Sequence, residues 1–398
     1  MVKKYSFAQL VIIIVTLTFA MRASNNMLIT TTPLLAQYDL NFSPELIGII
    51  SGVVSLTTLI SSGFVNSRLS VSTRRKVFIA SSFIYAVLFV GFWLSNPYTI
   101  WLIAGLAGFI MGFIMPNILT SAGLLDDRKQ RERMLAIYTV ALSASLVVGP
   151  IIEGYILNFV TLREAYLVFI PLALVTAVMS TLTEFPKEDT KEIFPPLKEV
   201  FRNPGFRLAI YNIASYEVVF SLFTTFGGIY AVDALGASYS STMYIFSVFF
   251  LTSFLSRFLI SLRPVSKLWN GVIFSSSITL IGVSLIFLTK SLPLYLAALL
   301  ILGIPHGLTY PFSIISITRT IDTRLRNAVN SVFFSVMMTL GIATQFITGY
   351  LVKLMGIRNT FAITIPLIFL LILLMRSEAV KVDSMMEIGQ RENAVNLS

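Results

Sequence analysis

The stretch FAQLVIIIVTLTFAMRASNNMLITTTPLLA, residues 7–36, decides the class of fold. Its length, at about 1.5 Å per residue, exceeds a bilayer core of roughly 30 Å, so as a helix it crosses a membrane. It is too long for a secretory leader and has no small-residue cleavage site. It is therefore read as a retained first helix. Arg22 falls near its midpoint, followed by Asn25 and Asn26. A guanidinium at that depth costs at least about 2.5 kcal/mol, so it needs water, a ligand or a counter-charge.

The rest of the chain repeats this character. Of 398 residues, 56% are hydrophobic and 12% charged, and the mean hydropathy is +0.84. A soluble domain with that balance would expose apolar patches, so the composition implies an all-α protein that crosses the membrane many times. Apolar runs, separated by turn and charge clusters, predict twelve spans. They are 7–36, 44–66, 77–95, 99–124, 134–159, 164–183, 207–232, 240–262, 269–289, 292–318, 327–353 and 358–376.

The basic residues orient these spans. Of the 29 Lys and Arg, 24 fall on the side of the N-terminus, four lie opposite (Arg163, Lys290, Lys353, Arg358), and Arg22 is the remaining one. This bias places both termini in the cytoplasm of a multi-pass cell-membrane protein. It also accounts for the net charge of +10 without a nucleic-acid partner. The partners it leaves are membrane lipid and a small molecule, and the chain reads as a monomer. There is no cysteine and one histidine, His306. That removes thiolate chemistry and speaks against a metal site, a cofactor or a hydrolytic relay. No catalytic cluster and no ATP-binding loop is visible, so neither an enzyme nor a primary pump is expected.

An internal repeat organises the spans. Adding 195 carries Gly108, Gly112 and Pro116 onto Gly303, Gly307 and Pro311. It carries Arg68 onto Arg263, Arg131 onto Arg326, Gly154 onto Gly349, and Arg163 onto Arg358. Each half holds six spans, so the halves run parallel, as two six-helix bundles related by a pseudo-two-fold along the membrane normal. The division is 1–183 for the first bundle, 184–206 for a cytoplasmic linker, 207–376 for the second bundle, and 377–398 for a polar, mobile cytoplasmic tail. Within the linker, Lys198–Arg207 reads as an amphipathic helix on the inner leaflet.

At this point the chain resembles the major facilitator superfamily of secondary transporters, over essentially Phe7–Arg376. Gly63-Phe-Val-Asn-Ser67-Arg68, continuing to Arg74-Arg75-Lys76, is similar to the family's cytoplasmic loop motif, with Ser67 where an Asp is usual. Gly108-x3-Gly112-x3-Pro116 matches the pattern of span four, with Ala104 where an Arg is common. Ser145-x3-Gly149-Pro150-x2-Glu153-Gly154 is similar to the span-five motif of the drug/proton antiporter branch, with Ser145 and Glu153 in place of glycines. The resemblance implies alternating access, with gating and packing roles for Gly63, Arg68, Arg74, Gly108, Gly112, Pro116, Gly149, Pro150, Gly154, Arg263, Gly303, Gly307 and Pro311. Read from the residues alone, the glycines smooth helix faces for close packing, the prolines permit bending, and the loop arginines set topology.

Three ionisable groups lie well inside spans: Arg22, Glu153 and Glu217. The repeat offset relates Arg22 to Glu217, equivalent positions of opposite charge. One expectation is that they pair or hold opposite poles of a substrate. The rival is an Arg22–Glu153 bridge within the first half. An intramembrane carboxylate is also a reasonable proton site. Asn25, Asn26, Asn117, Asn212, Tyr216, His306 and Tyr310 are candidates for contact with a substrate, or else for links between helices. The leading functional reading is proton-coupled efflux of a small organic solute, driven by the proton gradient. The alternatives are uptake or facilitated movement of an organic anion held by Arg22, and a non-transporting lipid-handling or receptor protein on the same fold.

Overall fold

The computed structural model describes residues 5–185, 195–262 and 265–396. All the regular elements among them are helical. In chain order they are α1 (Phe7–Leu34), α2 (Pro44–Leu59), α3 (Val71–Trp93), α4 (Thr99–Ala122), α5 (Arg128–Ile156), α6 (Leu162–Thr181), α7 (Leu197–Arg202), α8 (Pro204–Leu222), α9 (Gly228–Leu235), α10 (Tyr239–Ser261), α11 (Leu268–Leu288), α12 (Leu292–Thr320) and α13 (Arg326–Asn396). Single π-helical turns extend α1 over Leu35–Asp39 and α2 over Ile60–Val65, and another joins α8 to α9 over Phe223–Gly227. Such turns insert one residue into the backbone ladder and concentrate at functional positions.

The helix starts follow local chemistry. Ser6 and Thr161 form capping boxes with Gln9 and Glu164 at the starts of α1 and α6. There the side chain accepts from an otherwise unbonded N–H and the third residue reaches back. Asp127 and Asn203 accept from the backbone N–H of Gln130 and Phe206. Pro44 and Pro204 occupy first-turn positions where no N–H is needed.

Eleven segments among the described residues are long and apolar enough to cross a membrane. The last, Ala328–Met385, is 58 residues long. Two helices meet inside it at Gly356, whose φ of 80° is left-handed backbone that glycine adopts without strain. That break separates the runs 327–353 and 358–376 expected from the sequence. Large apolar side chains such as Val87, Leu102, Phe159, Leu259 and Phe369 stay exposed. In a lipid environment these are the outward surface and need no further cover.

The chain forms two compact units. One comprises Met1–Thr190, Thr224–Ser247 and Gln345–Lys353. In it α1 packs on α5 and α6, α3 on α4 and α6, and α2 on α4. Its aromatic core is Tyr85, Phe89, Phe92, Tyr166 and Phe169, all buried, with Phe92 stacked on Tyr166 at 5.0 Å. The segments 224–247 and 345–353 pack on this unit at glycines. A Cβ on Gly349 would lie 2.9 Å from the Pro44 carbonyl, and one on Gly154 2.9 Å from the Tyr244 ring.

The second unit comprises Lys191–Phe223, Val248–Thr344 and Leu354–Ser398. Here α8 and α11 pack on α12. Val200, Phe206, Ala209, Ile213, Ile317, Val329 and Phe333 form a buried apolar cluster. The expected amphipathic helix of the linker is a short helix, α7, which ends at Asn203 because Asn203 and Pro204 start α8. Val200 anchors it in that cluster while Leu197 and Phe201 stay exposed.

Close helix contacts recur at the repeat offset. A Cβ on Gly108 would strike the Val54 carbonyl and Thr57, and one on Gly303 the Phe249 carbonyl and Thr252, each 195 residues on. Likewise Gly112 faces Thr58 and Ser61, while Gly307 faces Ser253 and Ser256. Arg163 donates to the carbonyls of Trp93 and Ser95 at the end of α3, and Arg358 donates to that of Phe287 at the end of α11.

The tail departs from expectation. Helix α13 runs on to Asn396, and Met375, Ala379 and Val382 are buried. Asp383 accepts from the N–H of Leu268 (2.9 Å) and Trp269 (3.2 Å), and pairs with Arg319 at 3.2 Å. Glu378 pairs with Arg207 at 3.0 Å. A polar composition reads as a solvated end, yet the apolar residues recur every three or four positions and hold the first turns down.

Candidate functional site

In the first unit a stripe of polar groups runs along one face of α1. Thr18, Arg22, Asn26 and Thr30 follow at intervals of four, the spacing that stacks side chains one above another. Arg22 is half-buried. Its Nη1 lies 3.5 Å from the sulfur of Met115 on α4, and its charge bears on the phenols of Tyr85 and Tyr138. Two residues along, Tyr85 donates to Ser24 at 3.0 Å. Asn25 and Asn26 are buried, and the Asn26 Nδ2 has no hydrogen-bond partner. Gly149 brings α5 against this level: a Cβ there would sit 3.1 Å from the Ala23 backbone. Pro150 follows inside the same helix.

Glu153 of α5 meets the far end of that stripe. It is 0% exposed. Thr31 donates to its Oε1, and the Thr30 hydroxyl lies 3.3 Å from its Oε2. Thr30 is eight residues beyond Arg22, or about 12 Å along the helix axis. The bridge between Arg22 and Glu153 expected as a rival is therefore corrected: the threonine hydroxyls, not the guanidinium, hold this carboxylate. The run Thr30-Thr31-Thr32 was the sequence signal for it.

In the second unit Glu217 is half-buried on α8. Ser221 donates to its Oε1 at 3.3 Å. Gly341 of α13 leaves room for it, since a Cβ there would lie 3.0 Å from the same oxygen. Sequence reasoning did not single out Gly341. On the neighbouring side His306 lies among rings, stacked on Phe220 at 4.4 Å and within 6 Å of Tyr216, Phe249 and Phe250.

Several candidates serve as helix links instead. Asn117 donates to Asn66 and to the Phe113 carbonyl, tying α4 to the end of α2. Asn212 donates to the Thr309 carbonyl and Ser313, and Tyr216 to the Leu302 carbonyl, tying α8 to α12. All three are buried. Tyr310 is exposed and lies 6.1 Å from the Phe333 ring. Pro116 and Pro311 lie inside α4 and α12. Gly63 meets only the tip of Leu59 at 3.9 Å. Arg68 lies 6.0 Å over the Phe64 ring, and Arg74 is in the first turn of α3. Arg263 lies outside the described residues.

Long apolar helices with isolated charges inside them define a polytopic membrane protein. The profile of the Major Facilitator Superfamily matches residues 14–345, and the chain belongs to that family. Family and fold are those of membrane transporters, not of enzymes. A 205-residue stretch is 23% identical to Multidrug resistance protein 2 of Bacillus subtilis (strain 168), covering 46% of this chain and 51% of that protein. The chain thus spans about half the length of the curated relative it matches. Its fold is similar to that of a bacterial homolog of the human lysosomal transporter Spinster, in an inward-facing, unoccupied conformation. There the TM-score is 0.71 at 16% identity, over 96% of this chain and 98% of the other. A POT family transporter in complex with a thioalcohol-conjugated peptide is similar with a TM-score of 0.75 at 13% identity, over 94% and 96%.

Proposed function

We propose that this protein is a secondary transporter that moves a small organic solute across the cell membrane by alternating access, as proton-coupled efflux. The observation that carries the reading is the recurrence of glycine-to-helix contacts at the repeat offset. It supports twelve spans in two parallel bundles of six; in this reading residues 184–206 are the linker, both termini are cytoplasmic and a monomer is the working unit. Two-fold-related bundles with their site at mid-depth are the architecture that rocking transport uses.

In this reading Glu217 is the coupling group. It is a carboxylate inside a span, half-accessible, with one serine donor and a glycine opposite that leaves room for its carboxylate. Such a group takes up a proton from one side and releases it to the other. Arg22 binds a polar group of the solute. The match to Multidrug resistance protein 2 supports efflux of organic compounds.

A second reading, uptake of an organic anion, draws on the position of Arg22 beside Met115 inside a span, where a guanidinium can take a carboxylate or phosphate. Reconstitution in liposomes with a panel of organic cations, anions and neutral amphiphiles under an imposed pH gradient tests both. Gradient-driven extrusion of at least one compound is expected. Gradient-independent movement of anions alone would favour the second reading, and no flux for any compound would contradict both.

A further inference from the structure

We infer that Glu153 is a separate proton-binding site, carried as a neutral carboxylic acid where α1 packs on α5. The inference does not depend on Glu217 being the coupling group.

Counting hydrogens leads to it. The Thr30 hydroxyl has one proton, and its nearest acceptor is the Asn26 carbonyl at 2.9 Å. The Glu153 Oε2, at 3.3 Å, then faces the lone pairs of the Thr30 oxygen. An ionised carboxylate there would meet lone pair with lone pair. A proton on Oε2 resolves the arrangement. Glu153 then donates to Thr30, and Thr31 donates to Oε1, so each oxygen has one bond of the right sense.

Among the described residues the surroundings supply no counter-charge. Among the described residues no cation lies within salt-bridge distance of the Glu153 carboxylate, whose side-chain partners are the two threonines. From α6, Tyr166 approaches, but its hydroxyl is engaged with Thr32 at 3.2 Å. Beyond it Asp39 and Arg163 pair with each other at 2.9 Å. From α10, Tyr244 packs against the neighbouring Gly154. Arg22 is more than two turns away on α1. A carboxylate removed from water without a partner becomes neutral rather than remaining charged.

Such a proton is reversibly held. Ionisation needs water at Thr30 and Thr31, to which the proton passes, so it requires loosening of the α1–α5 contact. The Asn26 amide, with its buried, unbonded Nδ2, lies one turn from Thr30 and one from Arg22 on the same face. It stands between this site and the guanidinium along the helix.

Infrared difference spectroscopy on the purified full-length protein, stepped from neutral to alkaline pH, tests the inference in the wild type, Glu153→Gln, Glu217→Gln and Thr31→Val. A carbonyl stretch of a protonated carboxylic acid is expected at neutral pH, lost at alkaline pH. It should be absent in Glu153→Gln, retained in Glu217→Gln and shifted in Thr31→Val, which removes the donor to Oε1. If Glu153→Gln fails to fold, the shift in Thr31→Val decides. Loss of only an ionised-carboxylate band in Glu153→Gln, or a protonated-acid band indifferent to both Glu153→Gln and Thr31→Val, would overturn it.

Discussion

Tyr38 donates its phenolic hydrogen to Asp233 at 2.7 Å, and the two are 195 residues apart, the offset of the internal repeat. Equivalent positions of the two halves thus touch within one compact unit. In the same unit Lys353 pairs with Glu45 at 2.5 Å, Gln345 accepts from Ser55 at 2.8 Å, and Ser247 donates to the Val147 carbonyl at 2.8 Å. The segments 224–247 and 345–353 are therefore fastened to the first unit by polar bonds as well as by glycine packing.

The Tyr38–Asp233 bond is exposed, so each partner alone matters little. Tyr38→Phe and Asp233→Asn should each lower stability by about 1 kcal/mol, and the double variant by no more than either one. Thermal unfolding of the four proteins in detergent checks this. Fully additive losses would mean that the two residues act through other contacts.

The glycines separate into those that must be glycine and those that need not be. Gly112→Ala and Gly303→Ala drive a Cβ into backbone and side-chain oxygens of the facing helix. Each should cost about 1–3 kcal/mol. Gly63→Ala, which meets almost nothing, should fall within about 0.5 kcal/mol of the wild type. Melting temperatures of the three variants give the order directly.

The helical tail should be part of the stable structure. Asp383→Ala removes the acceptor for two N–H groups at the start of α11 and the partner of the mostly buried Arg319. A loss of about 2 kcal/mol is expected, since a cap and a partly buried ion pair go together. Ser384→Ala, one residue on and exposed, is the control and should be silent. Equal melting temperatures for the two variants would contradict the docked tail.

These particulars show what a sequence of this kind reveals. Membrane spans are legible because bilayer thickness imposes a long apolar run, and breaks such as Ser95-Asn96-Pro97 interrupt it. The repeat is legible because glycine and arginine at helix contacts tolerate little change. Arg22, Glu153 and Glu217 stand out because charge is rare at that depth. Their surroundings do not. Whether Asn117 faces a solute or bonds to Asn66 depends on a helix fifty residues away, and nothing local distinguishes the two. The same holds for Asn212, whose amide goes to Thr309 and Ser313. The docked tail was hidden because Asp383 is one charge among several in a polar segment, and its meaning comes from the open end of α11.

The room around Glu217 should be functional. Gly341→Ala would place a methyl group about 3.0 Å from the Glu217 Oε1, so the side chain must turn away. Proton-coupled flux should fall several-fold while melting temperature changes little, because a half-buried side chain can yield. Unchanged flux would mean that Glu217 does not use that space.

The central claim is that Glu217 carries the coupled proton. Its direct test is proton movement in proteoliposomes, reported by a pH-sensitive dye in the lumen as each compound of the organic panel is added, for wild type and Glu217→Gln. Compound-dependent proton movement in the wild type, with at least a tenfold loss in Glu217→Gln and retained compound binding, is the predicted result. Proton movement at the wild-type rate in Glu217→Gln would contradict it.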